Sequence, residues 1–209
     1  MPTYLSAIAG ALIKMSLQDP TSLATYLPKA WNLLFKEILL APSAPKPVVE
    51  AAVSALGQGG LIRYCITDDQ ILATLSYVRG GSHLPGARQK GRAPFLWKLL
   101  SSLTSSLGSN PVRLPQLLKL LESLISRLRL RVLPSGANPG APAKADPSGR
   151  ASAAAQELLM DLIKEVGDLR SQRGFEWKDE VDGVVGIAIE VVGVQGVLEV
   201  LPLNIEPDA

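Results

Sequence analysis

The chain has 209 residues, enough for one substantial core or for a stack of about four to five helix pairs. Hydrophobic residues make up 47% of the chain and aromatic residues only 5%, so leucine, alanine and valine provide most of the packing surface, as is typical of helical arrays. The single cysteine, Cys65, excludes an intramolecular disulfide. Because there is also only one histidine, His83, a metal site rich in cysteine or histidine is excluded as well.

The net charge of +2 hides an uneven distribution along the chain. Residues 1–150 hold 17 basic and 7 acidic residues, whereas residues 151–209 hold 4 basic and 12 acidic residues, so the two parts carry +10 and −8. Such polarity can orient a partner, or it can attract the opposite end of a neighbouring molecule. Solvated helix faces without any partner explain the same distribution equally well.

The first quarter of the chain predicts amphipathic helices separated by proline. Helical spacing of apolar residues predicts one helix over residues 3–17 and a second one from Thr21. Within the second segment, Pro28 either kinks one long helix or begins a new one. The three prolines of residues 41–47 predict a linker, after which helical spacing resumes over residues 48–56.

A well-marked helix start lies at Thr67. Together with Gln70 three residues later, Thr67 matches a capping box, and Asp68 and Asp69 suit the positive end of a helix dipole. We therefore interpret the two aspartates as capping residues and not as metal ligands or catalytic acids. The predicted helix turns four apolar side chains inward: Ile71, Leu72, Leu75 and Val78.

Residues 79–93 predict a basic, flexible loop between two helices, because they contain glycine, proline and cations but no acidic residue. The cationic side chains of this loop are Arg79, Arg88, Lys90 and Arg92. Such a loop either contacts RNA phosphates or is a solvated insertion that keeps the protein soluble. His83 has no second ligand or nucleophile near it in sequence, so we interpret it as a surface histidine.

A second group of cations ends a long predicted helix. Helical spacing predicts helices over residues 94–107 and from about Pro111 to Val132, and the latter ends in RLRLR. On a helix Arg127 and Arg131 share a face, whereas on a strand Arg129 joins them. These arginines either compensate the negative end of the helix dipole or bind RNA phosphates.

The last third of the chain predicts a flexible loop followed by two helices. Residues 133–150 are rich in proline and glycine, which predicts a flexible insertion. An amphipathic helix follows and is broken by Gly174, and residues 177–192 are apolar nearly all round, which predicts a helix buried on every side. Its many β-branched residues also suit a strand, but no partner strand is apparent upstream, so helix is favoured.

Helix pairs of this kind cannot bury their apolar faces alone and therefore require stacked neighbours. We accordingly predict an all-α fold, an α-solenoid of stacked HEAT- or armadillo-like helix pairs. Residues 1–209 form a single repeat region in this prediction. The loops of residues 79–93 and 133–150 are insertions between its helices.

No pattern in the chain indicates catalysis or a cofactor. The glycine-rich GQGGLIRY lacks the Lys-Ser/Thr end of a nucleotide-binding loop, and neither a nucleophile elbow nor a zinc pattern is present. Residues 183–203 are the most apolar stretch, but Glu190, Gln195 and Glu199 interrupt it, which argues against a membrane span. We therefore predict no enzymatic activity, no cofactor, no metal site, no small-molecule substrate and no membrane association.

Three stretches of the sequence also resemble a known family: LATYLPKAWNLLFKEIL, LIRYCITDDQI and the C-terminal segment that begins AAQELLMDLIKEVGDLR. They are similar to the N-terminal helical-repeat region of the ribosomal-RNA-processing protein twelve family. The most specific matches are Gly167 to Arg170, Phe175, Val181, Asp182, Gly186, Val197, Leu198 and Leu201 to Asn204, followed by Arg63 to Thr67. The chain departs from the family pattern at GQGG. Because members of that family are several times longer, the chain is expected to be a fragment.

The resemblance implies a non-enzymatic HEAT-like scaffold of the nucleolus and nucleus. Such a protein associates with pre-ribosomal RNA and ribosome assembly factors, supports ribosomal RNA processing and subunit export, and contacts nuclear transport factors. The residues predicted to contact RNA are Arg79, Arg88, Lys90, Arg92, Arg127, Arg129 and Arg131. Two alternatives stay open: a protein-only adaptor or transport-receptor-like repeat module without direct RNA contact, and a small enzyme or lipid-binding helical domain.

Overall fold

The computed structural model describes residues 2–57, 59–80, 93–132 and 151–201, and nearly all of these residues are helical. The α-helices are α1 (Pro2–Gln18), α2 (Pro20–Asn32), α3 (Lys46–Leu56), α4 (Leu61–Cys65), α5 (Asp68–Arg79), α6 (Phe95–Ser109), α7 (Leu114–Arg127), α8 (Ala154–Arg170), α9 (Lys178–Val192) and α10 (Val194–Val200). A π-helical segment (Leu33–Leu39) follows α2, and a 3₁₀ turn (Pro111–Arg113) precedes α7. The strands β1 (Arg131–Val132) and β2 (Ser152–Ala153) pair antiparallel. The predicted all-α fold is confirmed.

Local hydrogen bonds determine where two of the helices begin. The hydroxyl of Thr67 accepts a hydrogen bond from the Gln70 amide at 3.3 Å, and the Gln70 side chain accepts one from the Thr67 amide at 3.4 Å. The predicted capping box is therefore present at α5. At α2, Asp19 accepts a hydrogen bond from the Ser22 amide at 3.1 Å, and hydrogen bonds from Ser22 and Thr21 lower the pKa of Asp19 to about 2.

The segment that contains Pro28 forms a continuous helical run, because Pro28 lies inside α2 and does not begin a new helix. The run then continues in the π-helical segment, at whose end the Leu40 amide donates to the Phe35 carbonyl at 3.0 Å. Trp31 stacks on Phe35 with 5.4 Å between ring centroids and meets the edge of Phe95, the first residue of α6, at 6.5 Å. These rings join α2 to the middle of the chain.

The helices form a two-layer stack. Helices α1, α3, α7 and α9 contact one another in that order, and each has a partner in the other layer: α2 for α1, the π-helical segment for α3, α6 for α7 and α8 for α9. Helix α4 bridges α1 and α7, and α5 contacts α6 and α8. A row of helix pairs in which each pair covers the next is the architecture of an α-solenoid.

Helix α7 lies at the centre of this stack, between α3 and α4 on one side and α9 on the other, with α6 as its partner. Nine of its 14 residues are buried. All six residues of its predicted apolar stripe are fully buried: Leu117, Leu118, Leu121, Leu124, Ile125 and Leu128. The stripe predicted from helical spacing is therefore confirmed.

The predicted end of this helix was wrong, because α7 stops at Arg127 and does not continue to Val132. The carbonyl of Leu128 accepts a hydrogen bond from the Ala155 amide at 3.0 Å, and the carbonyl of Leu130 accepts one from the Ala154 amide at 2.8 Å. The end of α7 and the start of α8 thus satisfy each other's backbone groups. Pairing with a segment distant in sequence prevailed over the local helical pattern.

Two predictions of burial were also wrong. Helix α9 is helical as predicted, but only one face of it is buried, and Ile189 on the other face is 37% exposed. Its neighbours α7, α8, α10 and β2 cover only part of its surface. In α5, Leu72 points outward, and Thr74 lies on the buried face of the helix instead. The Thr74 hydroxyl donates a hydrogen bond to the Gln70 carbonyl at 2.7 Å.

The central position of α7 predicts a large stability loss for Leu124→Ala. Because Leu124 is fully buried, we expect the free energy of unfolding to fall by about 2–5 kcal/mol. Urea denaturation followed by circular dichroism measures this change. The matched control is Leu17→Ala, since Leu17 is 82% exposed and its loss is expected to change the free energy by less than about 0.5 kcal/mol. Equal effects of the two substitutions contradict the central role of α7.

Candidate nucleic-acid interface

A concave basic surface lies where α4 meets the end of α7. Three arginines and two serines line a cavity of about 350 Å³: Arg63, Ser123, Ser126, Arg127 and Arg129. We refer to this feature as the arginine cavity. Arg63 comes from α4, and the other four residues come from the last turns of α7 and the two residues after it. The contact between α4 and α7 therefore brings together residues about 60 positions apart in sequence.

Arg127 is the fixed member of the arginine cavity. Its Nε donates to the Ile66 carbonyl at 2.8 Å, and its Nη2 donates to Asp68 Oδ1 at 2.8 Å. Only 20% of its side chain is exposed. Since Ile66 follows α4 and Asp68 begins α5, Arg127 attaches the end of α7 to the turn between those two helices. Arg127 also lines the cavity, and its guanidinium has N–H groups beyond the two used in these hydrogen bonds.

Arg129 is held more loosely. Its Nε donates to the Ser126 carbonyl in the last turn of α7 at 2.8 Å, as the dipole interpretation expects. Its Nη2 lies 4.0 Å from Glu190 Oε1, and the two side chains are 63% and 64% exposed. Because water and salt screen an exposed ion pair at this distance, the pairing is weak. The guanidinium of Arg129 therefore remains accessible to another anion.

Arg63 was missed by the sequence reasoning, which used it only as part of a family motif. The side chain is exposed, and its guanidinium carbon lies 5.5 Å from the centroid of the Tyr64 ring. Within the described ranges Arg63 forms no ion pair. The signal that was available is an arginine followed by a tyrosine on a short helix whose other apolar residues are buried.

The other predicted RNA contacts are not gathered at the arginine cavity. Arg131 is exposed on β1 two residues beyond Arg129, and it does not line the cavity. Arg79 forms two hydrogen bonds with the carboxylate of Glu157, at 2.8 and 2.5 Å, which raise the pKa of the arginine. This ion pair links α5 to α8. Because the carboxylate neutralises its charge, Arg79 contributes little positive charge to an RNA surface.

The remaining predicted contacts, Arg88, Lys90 and Arg92, lie outside the described residues, as does His83. The predicted loop of residues 133–150 and most of the loop of residues 79–93 also lie outside them. Their assignment therefore stays a prediction. The described part of the candidate interface consists of the arginine cavity together with Arg131.

Comparison with known protein families matches residues 43–209, more than half of the chain, to Ribosomal RNA-processing protein 12, HEAT repeats. The chain belongs to this family. Comparisons with curated proteins and with solved structures find no match. Ribosomal RNA-processing protein 12 HEAT repeats serve ribosomal RNA processing and ribosome biogenesis, so the function predicted from the resemblance is confirmed at this level.

The part of the chain that matches the family includes α3 to α10 and therefore the whole arginine cavity. Its C-terminal motif has a packing role. Gly167 leaves room for the side chain of Leu201, because a Cβ at this position would meet that leucine. Arg170 and Asp182 form a two-point ion pair that ties α8 to α9 and raises the pKa of Arg170. These motif residues stabilise the last helices of the stack.

Within residues 2–57, 59–80, 93–132 and 151–201, no helix has both the length and the apolar character needed to cross a membrane. No group of three or more His, Cys, Asp or Glu side chains in those ranges is placed to hold a metal ion. Burial raises the pKa of the Cys65 thiol to about 11.

We therefore expect Cys65 to resist alkylation in the folded protein. At pH 8 a thiol with a pKa of about 11 is thiolate in only about one molecule in a thousand, and burial blocks access further. Iodoacetamide labelling followed by mass spectrometry measures the rate. The control is the same reaction in denaturant, where the thiol has its ordinary pKa of about 8.5. Because of that difference in pKa, we expect the unfolded chain to react at least about a hundred-fold faster. Rapid labelling of the folded chain contradicts the burial of Cys65 in α4.

Proposed function

We propose that this chain is a non-enzymatic helical-repeat scaffold that acts on pre-ribosomal particles in the nucleolus and nucleus. It supports ribosomal RNA processing and subunit export by holding pre-ribosomal RNA and assembly factors, with nuclear transport factors as further partners. In this proposal residues 1–209 act as a single repeat region, and the segments of residues 79–93 and 133–150 are insertions in it. A stack of helix pairs offers an extended surface, which suits large partners better than small substrates.

The observation that carries the RNA contact is the arginine cavity. Arginine presents a planar fork of N–H donors that matches the oxygens of a phosphate, and the hydroxyl of Ser126 adds a further donor. The hydroxyl of Ser123 donates to the Lys119 carbonyl at 3.0 Å instead. Arg127 is held rigidly by Ile66 and Asp68, so little side-chain entropy is lost when a phosphate binds beside it. Arg63 and Arg129 can then turn toward the same anion. The cavity thus suits a phosphate of the RNA backbone.

The charges around the arginine cavity leave a positive balance. Asp68 neutralises Arg127 at 2.8 Å, whereas Glu190 approaches only Arg129 and only to 4.0 Å. Arg63 adds an unpaired cation within the described ranges, and exposed Arg131 adds positive charge two residues beyond Arg129. RNA phosphates therefore meet a surface on which cations outnumber carboxylates, at the border between the basic and acidic parts of the chain.

A second candidate function, protein-only binding without RNA, is favoured by a groove between α6 and α8. The groove has a volume of about 370 Å³ and an apolar floor that includes Leu100, Leu159 and Leu162. Asp161 and Glu165 form an acidic rim on the α8 side. Such a groove suits a protein segment with apolar and basic residues. The two functions are compatible, and RNA binding by the purified chain distinguishes them.

We expect the triple substitution of Arg63, Arg129 and Arg131 by glutamine to weaken binding of single-stranded precursor ribosomal RNA. Because each phosphate contact contributes about 0.7 to the slope of log K against log salt concentration, the slope is expected to fall by about two. Fluorescence anisotropy over a salt series measures it. Arg127 is kept, because its loss would release the α4–α5 turn.

The matched control replaces Lys29, Lys36 and Lys98 by glutamine. These lysines are exposed on α2, the π-helical segment and α6, in the other layer of the stack, and their loss removes the same net charge. We expect this control to change the slope by less than one unit. If both variants lower the slope equally, the arginine cavity is not the RNA contact. If the unsubstituted chain binds no RNA, the protein-only function is the better one.

Glu190→Gln is expected to strengthen RNA binding. Removing this carboxylate frees Arg129 and removes a negative charge that repels phosphate, so the affinity is expected to rise about two- to fivefold at low salt and less at high salt. The same anisotropy assay measures the gain. Glu165→Gln, at the groove between α6 and α8, is the control with the same charge change and is expected to have a smaller effect. An unchanged affinity in Glu190→Gln argues against Arg129 as a contact.

A further inference from the structure

An exposed aromatic ring lies beside the arginine cavity. Helix α4 is only five residues long, and its buried residues Leu61, Ile62 and Cys65 hold it in the stack. The Tyr64 side chain is 47% exposed and is not needed for that packing. The guanidinium carbon of Arg63, which lines the cavity, lies 5.5 Å from the centroid of the Tyr64 ring. A flat aromatic surface and a basic cavity large enough for a phosphate group therefore lie next to each other.

Single-stranded RNA has the two chemical groups that such a surface recognises. Its bases present free π-faces that stack on aromatic side chains, and a phosphate lies on either side of each nucleoside. In an A-form duplex the base faces are hidden inside the helix, so a protein can reach phosphates, 2′-hydroxyls and minor-groove base edges but no base face on which to stack. An aromatic ring adjacent to arginines thus favours unpaired strands over duplex.

We propose that this surface is a binding site for single-stranded RNA, in which a phosphate occupies the arginine cavity and the adjoining base stacks on Tyr64. Arg127 is the fixed hydrogen-bond donor of the site, because Ile66 and Asp68 hold its guanidinium in place and leave its other N–H groups for the phosphate. Asp68 neutralises its charge, so Arg63 and Arg129 supply the positive charge. Arg63 lies over one face of the Tyr64 ring and also lines the cavity, so the base stacks on the other face of the ring while the guanidinium contacts the phosphate. The inference rests on the proposed function for the choice of RNA over DNA.

The chain contains a matched tyrosine that lacks the neighbouring cavity. Tyr26 on α2 is 52% exposed, and the amino group of Lys29 lies 5.7 Å from its ring centroid. Tyr26 therefore has a similar exposure and a similar cation near its ring, but neither residue lines the arginine cavity. If an exposed tyrosine beside a cation were sufficient for stacking, both sites would bind bases equally. The proposal requires only Tyr64 to do so.

Binding assays with the full chain test this arrangement. The probes are a labelled single strand of about twelve nucleotides and an RNA duplex of the same length, within the site sizes known for single-strand binders. We expect Tyr64→Ala to lower affinity for the single strand about tenfold or more and to change affinity for the duplex less than about twofold. Tyr64→Phe keeps the ring and is expected to stay within about twofold of the unsubstituted chain. Tyr26→Ala is expected to have no effect on either probe.

A photochemical measurement gives a readout that a merely structural role of Tyr64 would not produce. Strands that carry 5-iodouridine cross-link to aromatic side chains in stacking contact when irradiated. We expect the base to cross-link to Tyr64. Mass spectrometry of the tryptic peptide of residues 64–79 maps the cross-link. Because that peptide also contains Tyr77, fragment ions must assign the base to one tyrosine. Cross-links on Tyr77 or on Tyr26 overturn the proposed site.

The outcomes separate this inference from the proposed function. Salt-dependent RNA binding that is lost in the triple arginine variant but unchanged in Tyr64→Ala leaves the scaffold function standing and overturns the stacking site. Equal losses for single strand and duplex in Tyr64→Ala overturn it as well, since stacking cannot act on a duplex. If the unsubstituted chain binds neither probe, both the RNA contact and the stacking site are wrong. Circular dichroism melting of each variant confirms that it is folded.

Discussion

The burial of α7 is the constraint on which the rest of the structure depends. Burying one leucine side chain contributes about 1.5–3 kcal/mol, and the apolar stripe of α7 is covered only because α3, α4, α6 and α9 pack around it. No single helix pair hides this surface, so the stack has to form as a unit. The position of α7 then determines where its last turn emerges, which is beside α4 and the turn before α5.

The arginine cavity follows from the way this buried helix ends. Carbonyl groups of a last helical turn need donors, and here Arg129 serves Ser126 while the first amides of α8 serve Leu128 and Leu130. Arg127 instead reaches the carbonyl of Ile66. Each guanidinium uses one or two N–H groups in this way and keeps others for an anion. Dipole compensation and phosphate binding are therefore compatible roles of the same arginines.

The C-terminal family motif and the residues that suit RNA lie in different parts of the chain, whereas the family motif of residues 63–67 contributes Arg63 to the arginine cavity. The C-terminal motif acts through packing, since Gly167 admits Leu201 and the Arg170–Asp182 ion pair holds α8 against α9. The arginine cavity lies on α4 and at the end of α7 instead. Because the C-terminal motif consists of packing residues, it supports the repeat architecture directly. Charge, geometry and exposure at the arginine cavity support the RNA contact.

The sequence by itself determined most of the long helices, because helical periodicity and caps such as the one at Thr67 act through residues three or four positions apart. It did not indicate α4, α10 or the π-helical segment as separate elements. The apolar stripe of α7 and the all-α fold class were also predictable from the sequence. Only the tertiary structure decided that α7 ends at Arg127, that Arg79 pairs with Glu157 78 residues away, and that Arg63 meets the end of α7. The physical reason is that these contacts depend on how whole helices stack, and no local pattern records which distant carbonyl, carboxylate or ring will lie beside a given arginine.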